Sequence, residues 1–152
     1  MIARTAQPGR LDWIGLRAAR RAEITPVDIV DVTLSGLTGD HSRPGKRAVT
    51  LIQAEHLPAI AARSGHDHVH PSTLRRNLVI SGLNLANWRD KTLKIGNVEL
   101  HLTIPCAPCS RMEEALGHGG YAAMRGHGGW CAEVITSGTI ALGDEVSPVQ
   151  MA

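Results

Sequence analysis

Cys106-Ala107-Pro108-Cys109 sets two thiols three positions apart, directly ahead of a helix-prone run from Ser110 to Leu116. Unpaired backbone N–H groups and the positive end of a helix dipole favour a thiolate at such an entrance. A thiolate is a nucleophile or a ligand for a thiophilic metal, so Cys109 is the leading candidate for chemistry. Cys131 stands alone and reads as a small buried hydrophobe. A structural zinc site needs four ligands, and His101, His118 and His127 do not provide the spaced histidine pair that would complete one. A redox dithiol of the thioredoxin type needs a βαβ setting, whereas a hairpin precedes Cys106. Zinc and dithiol chemistry remain the poorer fits.

Basic residues form a second group. Lys46 and Arg47 close a glycine-rich loop, and Arg75 and Arg76 lead into a strand beginning at Asn77. Guanidinium groups held beside strands suit a phosphate or another anion, against the plainer reading of solvated surface charge. Asp40-His41 and the Met124 to Gly129 loop place polar groups where backbone can approach a ligand, or form ordinary turns. His66, His68 and His70 read as a solvated loop, with no complete metal shell nearby.

The positioning elements follow from hydrophobic pattern. Strands are expected at Trp13 to Arg17, Val27 to Leu34, Val49 to Ile52, Asn77 to Ser81, Cys131 to Ile135 and Thr139 to Val146. A hairpin over Leu93 to Leu102 turns at Gly96-Asn97. Ala54 to Arg63 suits a short helix ending near Gly65. Seven or eight strands, two or three short helices and no βαβ alternation indicate a mainly β, barrel-like fold. The 152 residues, 43% hydrophobic, match one domain. With no Phe, the core must come mainly from Leu, Ile, Val and Ala. A net charge of +2 without charge runs argues against nucleic acid and favours small-molecule partners. The absence of an apolar leader or spanning segment, and an odd number of cysteines, lead to the expectation of a cytoplasmic protein with reduced thiols and no membrane partner.

Several segments together carry a resemblance: G-L-T-G-D-H, G-K-R-A-V-T-L-I, L-R-R-N-L-V-I-S-G, P-C-A-P-C-S-R-M-E, M-R-G-H-G-G and G-T-I-A-L-G-D-E-V. In order and spacing they resemble the stand-alone bacterial MOSC domains, the family named for the C-terminal domain of molybdenum cofactor sulfurase. The similarity runs from about residue 14 to 146, within a single domain spanning residues 1–152. It implies a barrel related to the pyruvate-kinase β-barrel domain and a molybdenum cofactor (molybdopterin). By the same resemblance, Cys109 ligates the metal or carries cofactor sulfur. Arg75 and Asn77 would contact the pterin and its phosphate, Lys46 and Arg47 would lie beside them, and Ala107 would face the cofactor through its backbone.

The implied function is a reductase of N-hydroxylated compounds or a carrier of cofactor sulfur. The former needs an external electron donor, since no flavin or nicotinamide fingerprint is present. A noncatalytic module that docks the cofactor or a maturation protein is the alternative. Larger relatives have an additional N-terminal β domain with further basic groups for the phosphate. The 152 residues are expected to hold no such domain, which implies a lower cofactor affinity or help from a homodimer partner. The M-R-G-H-G-G and S-R-M-E segments are absent from the reductase relatives, which separates the active-site surface from theirs.

Overall fold

The computed structural model describes residues 8–19, 23–63, 76–106 and 129–149. Within them lie eleven strands: β1 (Gly9–Arg17), β2 (Ile24–Val27), β3 (Ile29–Thr33), β4 (Gly36–Leu37), β5 (Val49–Gln53), β6 (Leu78–Ser81), β7 (Thr92–Ile95), β8 (Val98–Pro105), β9 (Trp130–Thr136), β10 (Gly138–Ala141) and β11 (Glu145–Pro148). One helix, α1 (Leu57–Arg63), follows a short 3₁₀ turn at Ala54–His56. A second such turn spans Leu85–Trp88.

Eight strands form one sheet in the order β11-β7-β8-β9-β5-β6-β1-β2, and β11 also pairs with β1. That last pairing, Gly9 to Val146 and Arg10 to Glu145, closes seven of the strands into a barrel and leaves β2 as a flap on β1. Closure satisfies backbone groups that would otherwise form open edges. A separate three-stranded sheet runs β10-β3-β4.

The single parallel pair among the described strands is β5 with β6. Parallel neighbours need a long crossover, and the stretch containing α1 supplies it. Leu51, Leu78 and Ile80 face the main core, while Ile52 and Val79 point outward and are covered by Ile60 and Ala61 of α1. Burial on both faces explains why these strands read as mainly apolar runs without strict alternation. The main core is filled by Leu, Ile and Val, including Leu11, Ile14, Leu93, Ile95, Leu100 and Leu102.

Two expectations are corrected by the backbone. The strand expected over Thr139 to Val146 is two strands, because Gly143 at φ +88° turns the chain between β10 and β11. The Val27 to Leu34 strand begins earlier and is split at Asp28, so that β2 serves the barrel and β3 the smaller sheet. The β7–β8 hairpin forms at the expected residues; Gly96 alone takes a positive φ (+56°), the pattern of a type II′ turn. The helix expected at Ser110 to Leu116 lies outside the described residues.

Candidate cofactor site

Asn77 ties the site to the barrel. Its side chain is fully buried, and its Oδ1 accepts from the Thr50 amide at 3.0 Å and the Thr50 hydroxyl at 3.2 Å. Its Nδ2 donates to the Gly15 carbonyl and to Asp40 Oδ1, both at 3.1 Å. One amide therefore links β1, β5 and the loop after β4. With two acceptor and two donor positions engaged inside the protein, the Asn77 side chain can affect a ligand by fixing what surrounds it.

Asp40 carries that order to a cation. Its side chain is fully buried; Oδ1 accepts the Arg17 amide at 2.7 Å, and Oδ2 lies 3.3 Å from Arg17 Nη2. Arg17 is thus fixed at the end of β1, with 22% of its side chain still accessible. It lines an open cleft of about 500 Å³ with His41, Ser42, Arg43, Pro44, Lys46 and Arg47. The Thr103 hydroxyl lies 2.6 Å from the Lys46 carbonyl and 3.1 Å from that of Cys131, so β8 and β9 hold the Lys46–Arg47 loop in place. Among the described residues the cleft collects four formal cations, Arg17, Arg43, Lys46 and Arg47, and is lined by no carboxylate.

Behind it lies a thiol pair. Cys106, just past β8, and Cys131, in β9, bring their Sγ atoms to 3.4 Å, and both residues are buried. The Cys131 thiol is drawn down to about 7, first by the hydrogen bond from Cys106 and then by the charges of Arg76, Arg47 and Arg17, against the effect of burial. Cys106 is pushed up, by the same hydrogen bond and by burial. Above about pH 7 the pair therefore holds one proton between two sulfurs. Gly129 keeps this corner compact: at φ +94° its α-carbon packs so closely that a β-carbon would sit 2.0 Å from the Leu51 carbonyl oxygen. A smaller pocket of about 220 Å³ reaches Cys106 between Gln53, His56, Ala86, Pro105, Gly129 and Trp130.

The family-model comparison matches the MOSC domain over residues 37–147. The chain belongs to the MOSC domain family. That family is associated with molybdenum-cofactor binding. No curated protein matches the sequence. Among solved structures, the MOSC chain resembles the YuaD protein of Bacillus subtilis, at 18% identity over 93% of this chain and 97% of that one, with a TM-score of 0.79. YiiM from Geobacillus stearothermophilus superposes at 0.77 with 18% identity, covering 94% of this chain and 76% of that one. YiiM from Escherichia coli gives 0.73 at 21% identity, covering 94% and 71%. At these identities the likeness is one of fold.

Of the residues singled out in the sequence, Lys46 and Arg47 lie in the cationic cleft and Asn77 behind it, held to Asp40. Arg75, Ala107 and Cys109 lie outside the described residues, as do His66, His68, His70, His118 and His127. His101 is elsewhere, its Nδ1 at 3.2 Å from the Thr92 hydroxyl. No cluster of three metal-ligating side chains occurs among the described residues, and no described helix is long and apolar enough to cross a membrane. Pattern reading overlooked Arg17 and the meeting of Cys106 with Cys131. Arg17 carried a weak signal as the last residue of an alternating strand. The cysteine pair, separated by 25 residues, carried none.

Proposed function

We propose that this MOSC protein binds the molybdenum cofactor, its phosphate held in the cleft of Arg17, Lys46 and Arg47 and its metal ligated by Cys109. The cationic cleft built on a buried Asp40–Asn77 support, beside thiols, is the observation that carries the reading. The cleft's guanidinium and ammonium groups fit an anionic phosphate, and the thiol of Cys109 has the chemistry of a soft-metal ligand. When bound, the cofactor supplies two-electron redox chemistry at its metal, and the protein supplies orientation and electrostatics.

Each described residue then has a physical task. Lys46 and Arg47 are exposed and meet the phosphate directly. Arg17, already oriented by Asp40, adds a guanidinium with little further loss of side-chain freedom. Asn77 holds Asp40 and Gly15 in register. By the family resemblance, Arg75 would contact the pterin and phosphate, and Ala107 would face the cofactor through its backbone. The reaction is reduction of N-hydroxylated compounds with an external electron donor, or delivery of sulfur carried as a persulfide on Cys109.

The test is elemental analysis for molybdenum, tungsten and zinc, with oxidative fluorescence detection of released pterin, on wild type, Cys109→Ala and Lys46→Glu/Arg47→Glu. Molybdenum and pterin together in the wild type, with metal lost from the first variant and both reduced in the second, are expected. Stoichiometric zinc without pterin would overturn the reading. Pterin binding without turnover of an N-hydroxylated base or transfer of sulfur would leave a cofactor-docking module.

A further inference from the structure

Cys106 and Cys131 have a geometry that packing alone does not require. Their strands are neighbours, with Pro105 opposite Trp130 and the Cys106 amide donating to the Gly129 carbonyl at 2.9 Å. The two cysteines are thus diagonal partners across the ladder, and their sulfurs approach to 3.4 Å. The sulfurs, 3.4 Å apart, must close by roughly 1.4 Å to form a disulfide bond of about 2.05 Å. The pocket of Gln53, His56 and Trp130 opens onto Cys106, and its 220 Å³ exceeds the roughly 30 Å³ of a water-sized molecule several-fold. A small hydroperoxide can enter it.

We infer that Cys106 and Cys131 form an oxidation site at which a small hydroperoxide converts the thiol pair into a disulfide. The proton shared by the pair moves to Cys131, and the Cys106 thiolate attacks the nearer peroxide oxygen. An S–O bond forms, the O–O bond breaks, and the departing alkoxide or hydroxide takes the proton back from Cys131. The Cys131 thiolate, stabilised by Arg76, Arg47 and Arg17, then attacks the Cys106 sulfenic acid. An S–S bond forms and hydroxide leaves, to be protonated by solvent. Two electrons pass from the sulfurs to the hydroperoxide, which ends as an alcohol or water plus one further water. The bridge removes a negative charge from among three arginines and covalently joins the two ends of the segment 107–128, which contains Cys109. Cys109 itself takes no part.

The experiment uses the full chain, reduced and freed of reductant, exposed to hydrogen peroxide, then alkylated and mapped by mass spectrometry. Wild type and Cys109→Ser are run in parallel, with circular dichroism to establish that both are folded. The expected result is a cross-linked peptide pair containing Cys106 and Cys131 in both proteins. Cys109→Ser loses both alkylatable thiols and two hydrogens of mass, and a thiol reductant reverses the change. In Cys109→Ser/Cys131→Ser, oxidation instead stops at oxygenated Cys106 without that cross-link. Thiols that stay alkylatable, oxygen added without a bridge, or a bridge from Cys106 to Cys109 would each overturn the inference. Neither metal nor pterin enters the readout, so its failure is distinct from failure of the cofactor assignment.

Discussion

At the scale of the residue, buried polar groups carry the site. Asn77 engages Thr50, Gly15 and Asp40 at once. Replacing it by Ala leaves a buried carboxylate short of a donor and two backbone groups unpaired. At about 1–3 kcal/mol per orphaned group, Asn77→Ala is expected to lose at least about 3 kcal/mol, read from the urea midpoint. Gly129→Ala must displace the Leu51 carbonyl and take an unfavourable positive φ. Its melting temperature should fall well below that of a Gly143→Ala control, where nothing lies within 4 Å of the added carbon. The thiol pair predicts a pH effect. The Cys131 thiol is lowered from 9.0 to about 7 while Cys106 is raised. Between those two values the unfolded chain binds both protons and the folded chain one, so stability rises with pH from about 7 to about 9. Above that range the unfolded chain loses both while the folded chain keeps the Cys106 proton, and stability falls. Urea midpoints under reducing conditions should trace this rise and fall, and Cys106→Ala should flatten it.

The elements explain which residues can meet. β5 and β6 are paired on both sides and covered on both faces, whereas β2 has one neighbour and lies at the sheet's edge. Hydrogen exchange should therefore find the amides of Leu51, Val79 and Ile80 among the slowest, and those of Ile24, Thr25 and Val27 exchanging earlier. Equal protection across the two regions would contradict the pairing order. The same strands explain the placement of the cleft. β1 ends at Arg17, β5 begins just after Arg47, and Thr103 of β8 anchors the intervening loop at the Lys46 carbonyl.

For the whole molecule, the net charge of +2 conceals a local concentration of cations. A field focused in one cleft attracts an anion that the average surface would not. Lys46→Glu/Arg47→Glu is expected to weaken binding of inorganic phosphate, or of the cofactor, by at least roughly tenfold. Because both side chains are exposed, the unfolding midpoint should move by no more than about 0.5 kcal/mol equivalent. Isothermal titration beside chemical denaturation separates the two effects. Raising the salt concentration should reduce wild-type affinity more than that of the variant.

Much of the fold was legible in the residues. The apolar runs of β5 and β6, the alternation around Gly96-Asn97 and the glycines at loop ends identified a mainly β chain, because side-chain periodicity and turn chemistry are local properties. The site was legible in part, through Lys46 and Arg47 beside a glycine-rich loop. Asn77 was visible as a strand entrance, but its four bonds come from residues up to 62 positions away. Barrel closure by β1 and β11, the split of Thr139 to Val146 into two strands, and the approach of Cys106 to Cys131 were decided only in three dimensions. Each depends on which strands become neighbours, and strand order follows from burying every apolar face and satisfying every edge together, a condition no local stretch of sequence contains.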